Sequence, residues 1–364
     1  MEGQGAQALC NSSRQSLLSN AVGKVWHRGI RARLLPAVRA YSRGAVFNLG
    51  AAGVDMAAHL PRAAADWAAS QGMSSAVLCV DVAGAYYHAI RELAVSMPPG
   101  AGIEAMTGEL GLSARERGEL AELIAGAVAT REAEAPTHAA ALAAEALVGT
   151  WFSVDGAAEL ARTRRGVRPG DPLADVLYMF IAARCLRQVR DELRSAGLMP
   201  SLAWHAPDAG GRPSLAPLFG ADGAARERIE LSDALYADDD AFMIVAPAML
   251  LTARLVEAAT IVAKGFGRHG LTLNFGAGKT EAVCRFAGPG AKAAARELDE
   301  GGSRLALPDL ADGSLVLRTV PAYKHMGSIF DRKGSELPDA AARKRAAAPE
   351  RRSLRPFSGV LTSP

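Results

Sequence analysis

The chain has 364 residues, enough for one large or two modest domains with a buried core. Its 49% hydrophobic and 22% charged content excludes a disordered or fibrous polypeptide. The net charge of +3 excludes nothing about phosphate-binding partners, because such proteins concentrate their cations in local patches.

Residues 1–13 read as a loose tail. Leu17–Tyr41 is predicted to be a helix carrying Lys24, Arg28, Arg31, Arg33 and Arg39, and Met56–Ser70 a second helix. Ala76–Asp81 is an apolar, partly β-branched run that ends in an acid, the pattern of a buried strand with a carboxylate at its C-terminal end. Ala83–Val95 continues as a helix, and residues 113–148 are Ala/Glu-rich and helical with a break near Pro136. Trp151–Val154 is a short strand; a basic, Gly/Pro-bearing loop, Arg162–Pro172, connects it to a long helix over Leu173–Leu193. Residues 199–227 form a surface excursion. Ile229–Tyr236 and Ala241–Val245 are strands flanking an acidic turn, followed by an amphipathic helix, Leu250–His269, and strands at Thr280–Arg285 and Leu315–Val320. From Arg343 the chain is basic and proline-bearing, and reads as poorly ordered. This order gives an α+β class with helices on one face of an antiparallel sheet.

Four cysteines, Cys10, Cys79, Cys185 and Cys284, include no C-x-x-C pair, which argues against a zinc site. Cys79 lies in an apolar run and reads as a buried, inert thiol. Scattered cysteines fit a reducing, intracellular compartment, nuclear or cytoplasmic. There is no secretion signal and no apolar stretch long enough to span a membrane.

The chemistry is concentrated in acids. Three consecutive aspartates, Asp238, Asp239 and Asp240, lie between apolar strands; alone they describe a solvated hairpin. Asp81 also ends a buried strand, an expensive place for a lone carboxylate. If the two strands are neighbours, Asp81 and Asp238 face one point, and clustered carboxylates repel unless a cation neutralises them. Oxygen-only ligands suit Mg²⁺, and two such ions about 3.5–4 Å apart can clamp both oxygens of an in-line phosphoryl displacement.

Five blocks, in order, carry a resemblance: Leu78–Tyr87 (LCVDVAGAYY), Arg165–Leu173 (RGVRPGDPL), Tyr236–Asp239 (YADD), Gly270–Asn274 with Gly278–Glu281, and Tyr323–Ser328 (YKHMGS). Together the chain resembles the reverse transcriptases, most closely those of non-LTR (LINE-like) retrotransposons, over about Asn20–Asp331. The resemblance implies a right-hand polymerase palm with partial fingers and an incomplete thumb. Residues 14–75 would be partial fingers, 76–330 the palm with a helical fingers insertion at about 100–150, and 331–364 the start of a thumb or a disordered basic tail.

The implied activity is RNA-directed DNA polymerisation, with an RNA template, a DNA primer, dNTPs and two Mg²⁺ ions, Mn²⁺ serving as a substitute. Asp81, Asp238 and Asp239 would ligate metal, Lys279 would protonate the leaving phosphates, and Tyr86 would exclude ribose 2′-hydroxyls. Val82, Arg168 and Gly170 would line the nucleotide, and Tyr323 and Gly327 would support the primer end. Gly166 would let the backbone pass close to the substrate, Tyr87 is read as a core residue, Asp240 as a solvated bystander, and no histidine is given a catalytic role. Three features depart from the family: Pro169 stands where many members carry Gln, the fingers are short, and the chain stops soon after the primer-grip block. They favour an alternative, a truncated and inactive remnant that at most binds nucleic acid. An RNA-dependent RNA polymerase shares the acids, but the aromatic Tyr86 argues against it.

Overall fold

The computed structural model describes residues 21–42, 47, 49, 53–97, 113–153, 160–204, 227–310 and 313–346. Helices α1 (Ala21–Tyr41) and α2 (Val54–Ser70) precede β1 (Ser74–Asp81), which runs into two single turns, α3 (Ala85–His88) and α4 (Arg91–Ala94). Helices α5 (Ala114–Ala125), α6 (Ala129–Glu132) and α7 (Thr137–Leu147) lead to the paired strands β2 (Trp151–Ser153) and β3 (Leu160–Arg162), then to the long α8 (Ala174–Ser195). Strands β4 (Ser201–Trp204) and β5 (Glu227–Glu230) pair, β6 (Asp233–Tyr236) and β7 (Asp239–Ala246) form a tight hairpin, and α9 (Leu251–Arg268) and β8 (Glu281–Arg285) follow. The remainder is α10 (Ala291–Glu300), β9 (Arg304–Ala306), β10 (Val316–Thr319), the hairpin β11 (Ala322–His325) and β12 (Ser328–Asp331), and α11 (Leu337–Ala346). No helix among the described residues is long and apolar enough to cross a membrane.

The chain divides into two compact units, each discontinuous in sequence. The first comprises Met1–Ala51, Val82–Glu192 and Ile261–Asn274; the second comprises Ala52–Asp81, Leu193–Thr260 and Phe275–Pro364.

The second unit is built on a six-stranded sheet in the order β6-β7-β1-β8-β10-β9. Strand β1 carries no charge before Asp81 and is buried along its length, as a central strand requires. Helix α2 packs on β1, β6 and β7. Its buried face is Ala57, Ala58, Pro61, Ala64 and Ala68, small residues that let it lie close to the strands. The α+β class is the one the sequence implies, but the sheet is mixed: β8 and β10 run parallel, because α10 and β9 intervene between them. No element is expected from the sequence at α10, β9 or α11, although α10 is strongly amphipathic, and Arg343–Ala346, read there as poorly ordered, closes α11.

The first unit is mainly helical, with the β2–β3 pair as its strands. Helix α8 buries Val176, Leu177, Tyr178, Met179, Phe180 and Ile181 consecutively, so it is enclosed on all sides at that end. Helix α1 packs on α6 and α7 through Ile30, Leu34, Val38 and Tyr41. A Cβ on Gly265 of α9 would lie 2.3 Å from Val189 Cγ2, so only glycine allows that approach.

Two predicted elements are divided. The single helix over Ala83–Val95 is two turns separated by Ala89 and Ile90, whose backbone is extended. The loop after β3 replaces the missing helical hydrogen bonds: Gly166 N donates to Ala89 O at 2.8 Å and Val167 N to Tyr86 O at 2.7 Å. The predicted strand Ile229–Tyr236 is β5 plus β6, which pair with different partners. The change comes at Leu231, whose N–H donates to Pro200 O, and Ser232, whose carbonyl accepts from Met243 N.

Candidate functional site

In the second unit β1 and β7 lie side by side, with Asp81 opposite Asp239 and Val80 opposite Asp240. On the other flank of β1, β8 places Glu281 opposite Cys79. Asp238 occupies the two-residue turn between Tyr236 and Asp239. Its turn partner, Ala237, has φ = 60°. A left-handed L-residue costs about 1–2 kcal/mol, and such strain is characteristic of turns held for what they present.

Cations and donors close around these acids. Lys279 Nζ donates to Asp81 Oδ1 at 3.2 Å, both side chains being partly exposed. The Asp81 N–H donates to Thr280 Oγ1 at 3.1 Å, which fixes the strand end, and Gly278 N donates to Glu281 Oε1 at 2.9 Å. Tyr323 Oη donates to Lys279 O at 2.6 Å, and its ring packs on Val77, Cys79 and Ala241. The Tyr323 hydroxyl is raised above the usual phenol range by burial, then by nearby Cys79, Asp81, Glu281 and Asp239. The Cys79 thiol is raised by burial, then by Asp239, Asp240 and Glu281. In both, burial is the main cause and the neighbouring acids add to it. Gly327 lies with Met326 at the tip of the β11–β12 hairpin, both at positive φ.

Two residues there behave otherwise than the sequence implies. Asp240 is buried, 1% exposed, not a solvated bystander: alternation along β7 turns it inward while Asp239 is exposed. Its Oδ1 accepts from Ala241 N at 2.9 Å. Glu281 is also buried, yet it attracts no notice in a run that reads as a loop-to-strand junction.

The other candidates belong to the first unit. Val82 bridges to Leu273, and Ala83 N donates to Thr272 O at 2.8 Å. Tyr86 is half-buried against Tyr178, ring centroids 4.7 Å apart. Tyr87, read as core, is instead 38% exposed, because the break at Ala89 removes the helical face that would have buried it. Gly166 and Gly170 both take positive φ, 87° and 92°. A Cβ at Gly166 would lie 2.6 Å from Tyr87 O, so this glycine serves loop-to-turn packing. Arg168 is half-buried, with a long contact of 3.4 Å to Ala146 O.

Arg91 holds that loop, and sequence reasoning passed over it. It is 3% exposed and donates to Gly166 O, Leu147 O, Thr163 O, Thr163 Oγ1 and Arg165 O at 2.8–3.3 Å. Burial, then the neighbouring Arg168, pushes its guanidinium down to about 10. The only signal in the sequence is an Arg-Glu pair set between apolar residues in Ile90–Ala94.

Carboxylate oxygens are hard donors and suit Mg²⁺ in kind. Among the described residues, however, no three His, Cys, Asp or Glu side chains are gathered closely enough to hold a metal ion, and Lys279 supplies the positive charge that meets Asp81. No protein-family model matches the chain, and no curated protein matches it.

Proposed function

We propose that this chain is the palm-bearing part of an RNA-directed DNA polymerase from a mobile element, extending a primer 3′-hydroxyl with dNTPs on an RNA template. The observation that carries this is the register of β1 and β7, which sets Asp81 opposite Asp239 with Asp238 in the strained turn beside them. These are the acids of two of the five blocks that resemble reverse transcriptases. Asp81, Asp238 and Asp239 would hold Mg²⁺, which would lower the charge on the reacting phosphates and acidify the primer hydroxyl. To hold an ion, Asp81 would have to give up its ion pair with Lys279. The resemblance would give Lys279 the task of donating a proton to the leaving pyrophosphate; Tyr323 Oη holds the Lys279 backbone carbonyl. Tyr86 would have the sugar-selecting role that the resemblance implies.

A second reading, an inactive remnant that binds nucleic acid, is favoured by the Lys279–Asp81 ion pair itself, which satisfies the acid without metal. Primer extension separates the two. With a primed RNA template, Mg²⁺ and dNTPs at low salt, the chain should lengthen the primer and Asp238→Asn should abolish the product. Extension no greater than that of the Asp238→Asn variant would overturn the polymerase reading.

A further inference from the structure

A cavity of about 200 Å³ opens in the second unit between α10, the ends of β8 and β10, and the residues that follow β12. Its floor is apolar, formed by Cys284, Phe286, Leu298 and Val320. Burial pushes the Cys284 thiol up to about 12, so that wall stays uncharged. Thr319 also lines the cavity. It is 8% exposed, and its Oγ1 is buried with no hydrogen-bond partner among the described residues. A buried hydroxyl left unmet costs free energy, so a folded chain that keeps one calls for a partner from outside. The rim is charged. Arg332 Nη1 donates to Asp299 Oδ1 at 3.1 Å, which leaves the exposed Lys333 as the charge in excess. Asp331 is engaged with the backbone, its Oδ1 accepting from Lys333 N at 2.7 Å.

We propose that this cavity binds a small aromatic carboxylate, its ring on the apolar floor, a ring hydroxyl meeting Thr319 and its carboxylate at Lys333 and Arg332. The size fits: an apolar cavity of about 150 Å³ holds benzene, so this one matches a single substituted ring. The charge fits as well, since two cations against one carboxylate at the rim suit a monoanion. Few polar groups among mainly apolar walls are the usual make-up of a small-molecule site. Water alone is a poorer occupant, because a buried water needs about two to four polar partners and the floor supplies none. A metal ion is poorly served, the one carboxylate being already paired with Arg332. Glu281 and Cys284 lie toward opposite ends of β8, so this cavity is separate from the acids at the end of β1. The inference therefore does not rest on the polymerase reading.

The test is isothermal titration calorimetry of the full chain with 4-hydroxybenzoate and with benzoate. The first should saturate with a dissociation constant below about 1 mM, the affinity that about ten non-hydrogen atoms give at a modest energy per atom. Benzoate should bind about two- to tenfold more weakly, the worth of one hydrogen bond. Thr319→Val should bring 4-hydroxybenzoate down to the affinity of benzoate and leave benzoate unchanged. Lys333→Gln should weaken both acids about two- to tenfold. Ala295 lines the cavity, and Ala295→Phe should fill it and abolish both titrations. Urea unfolding checks each variant, and if Ala295→Phe does not fold, the Thr319 and Lys333 variants decide. No saturable heat with either acid would overturn the proposal. So would affinities that the Thr319 and Lys333 variants leave unchanged, or equal binding of hexanoate or inorganic phosphate. Asp238→Asn should bind like wild type. Loss of extension with binding intact would therefore reject only the polymerase reading, and extension without binding would reject only this one.

Discussion

Ala237 carries more conformational strain than any other residue in the YADD run. At φ = 60° it occupies a position that glycine fills without penalty, one residue before a candidate catalytic aspartate. Ala237→Gly should therefore raise stability by about 0.5–1 kcal/mol, the relief of left-handed strain exceeding the entropy glycine adds to the unfolded chain. The urea midpoint measures this; a fall would show that the turn is not strained. The acids around it were legible to different degrees. Asp81 and Asp238 follow from apolar runs that end in carboxylates. Asp240 did not, because three adjacent aspartates look alike until strand alternation turns the last one inward. Glu281 was hidden for a similar reason: its burial is set by pairing opposite Cys79, a contact across some two hundred positions of chain.

At the level of elements, those whose pattern is local were read well. Strand β1, the long α8 and the amphipathic α9 fall within a few residues of their expected limits. The misreadings share one cause, a long-range backbone contact that overrides a local pattern. The run Ala83–Val95 has a helical composition, yet Gly166 and Val167 take its carbonyls and split it into α3 and α4. Ile229–Tyr236 is apolar enough for one strand, yet β4 claims its first half. Arg91 fastens the first of these contacts, and its removal should be severe. Arg91→Met keeps much of the volume but leaves the carbonyls of Leu147, Arg165 and Gly166 short of donors, and should cost about 3–5 kcal/mol. Arg91→Lys should recover only part of that, since a point ammonium cannot fork across several acceptors. Denaturant unfolding of the pair gives both values, and a cost under about 1 kcal/mol for Arg91→Met would remove the residue from this role.

At the scale of the whole molecule, among the described residues each unit fully buries one histidine, which burial holds neutral. Burial pushes His269 in the first unit down to about 4, with Arg184 and Arg268 adding to the effect and the bond to Gly265 O opposing it. His325 in the second unit is pushed down to about 4 by burial alone, its Nε2 buried without a hydrogen-bond partner among the described residues. A depressed folded value means that the unfolded chain takes up these protons first. Their stabilising effect is complete above about pH 6.5 and is lost as pH falls toward 4, by up to about 3 kcal/mol for each histidine. Urea titrations between pH 7 and 4 should show that decline, and His269→Phe or His325→Phe should flatten it. The discontinuity of the units has a different consequence, for the order of synthesis. Strand β1 is the centre of its sheet, but its neighbours β7 and β8 are translated long after it. The nascent chain must therefore carry a strand with a five-residue apolar run, Ala76–Val80, and both edges unsatisfied while α8 and the hairpins are still being made. The segment that holds the finished sheet together is thus the one a chaperone would have to shield during translation.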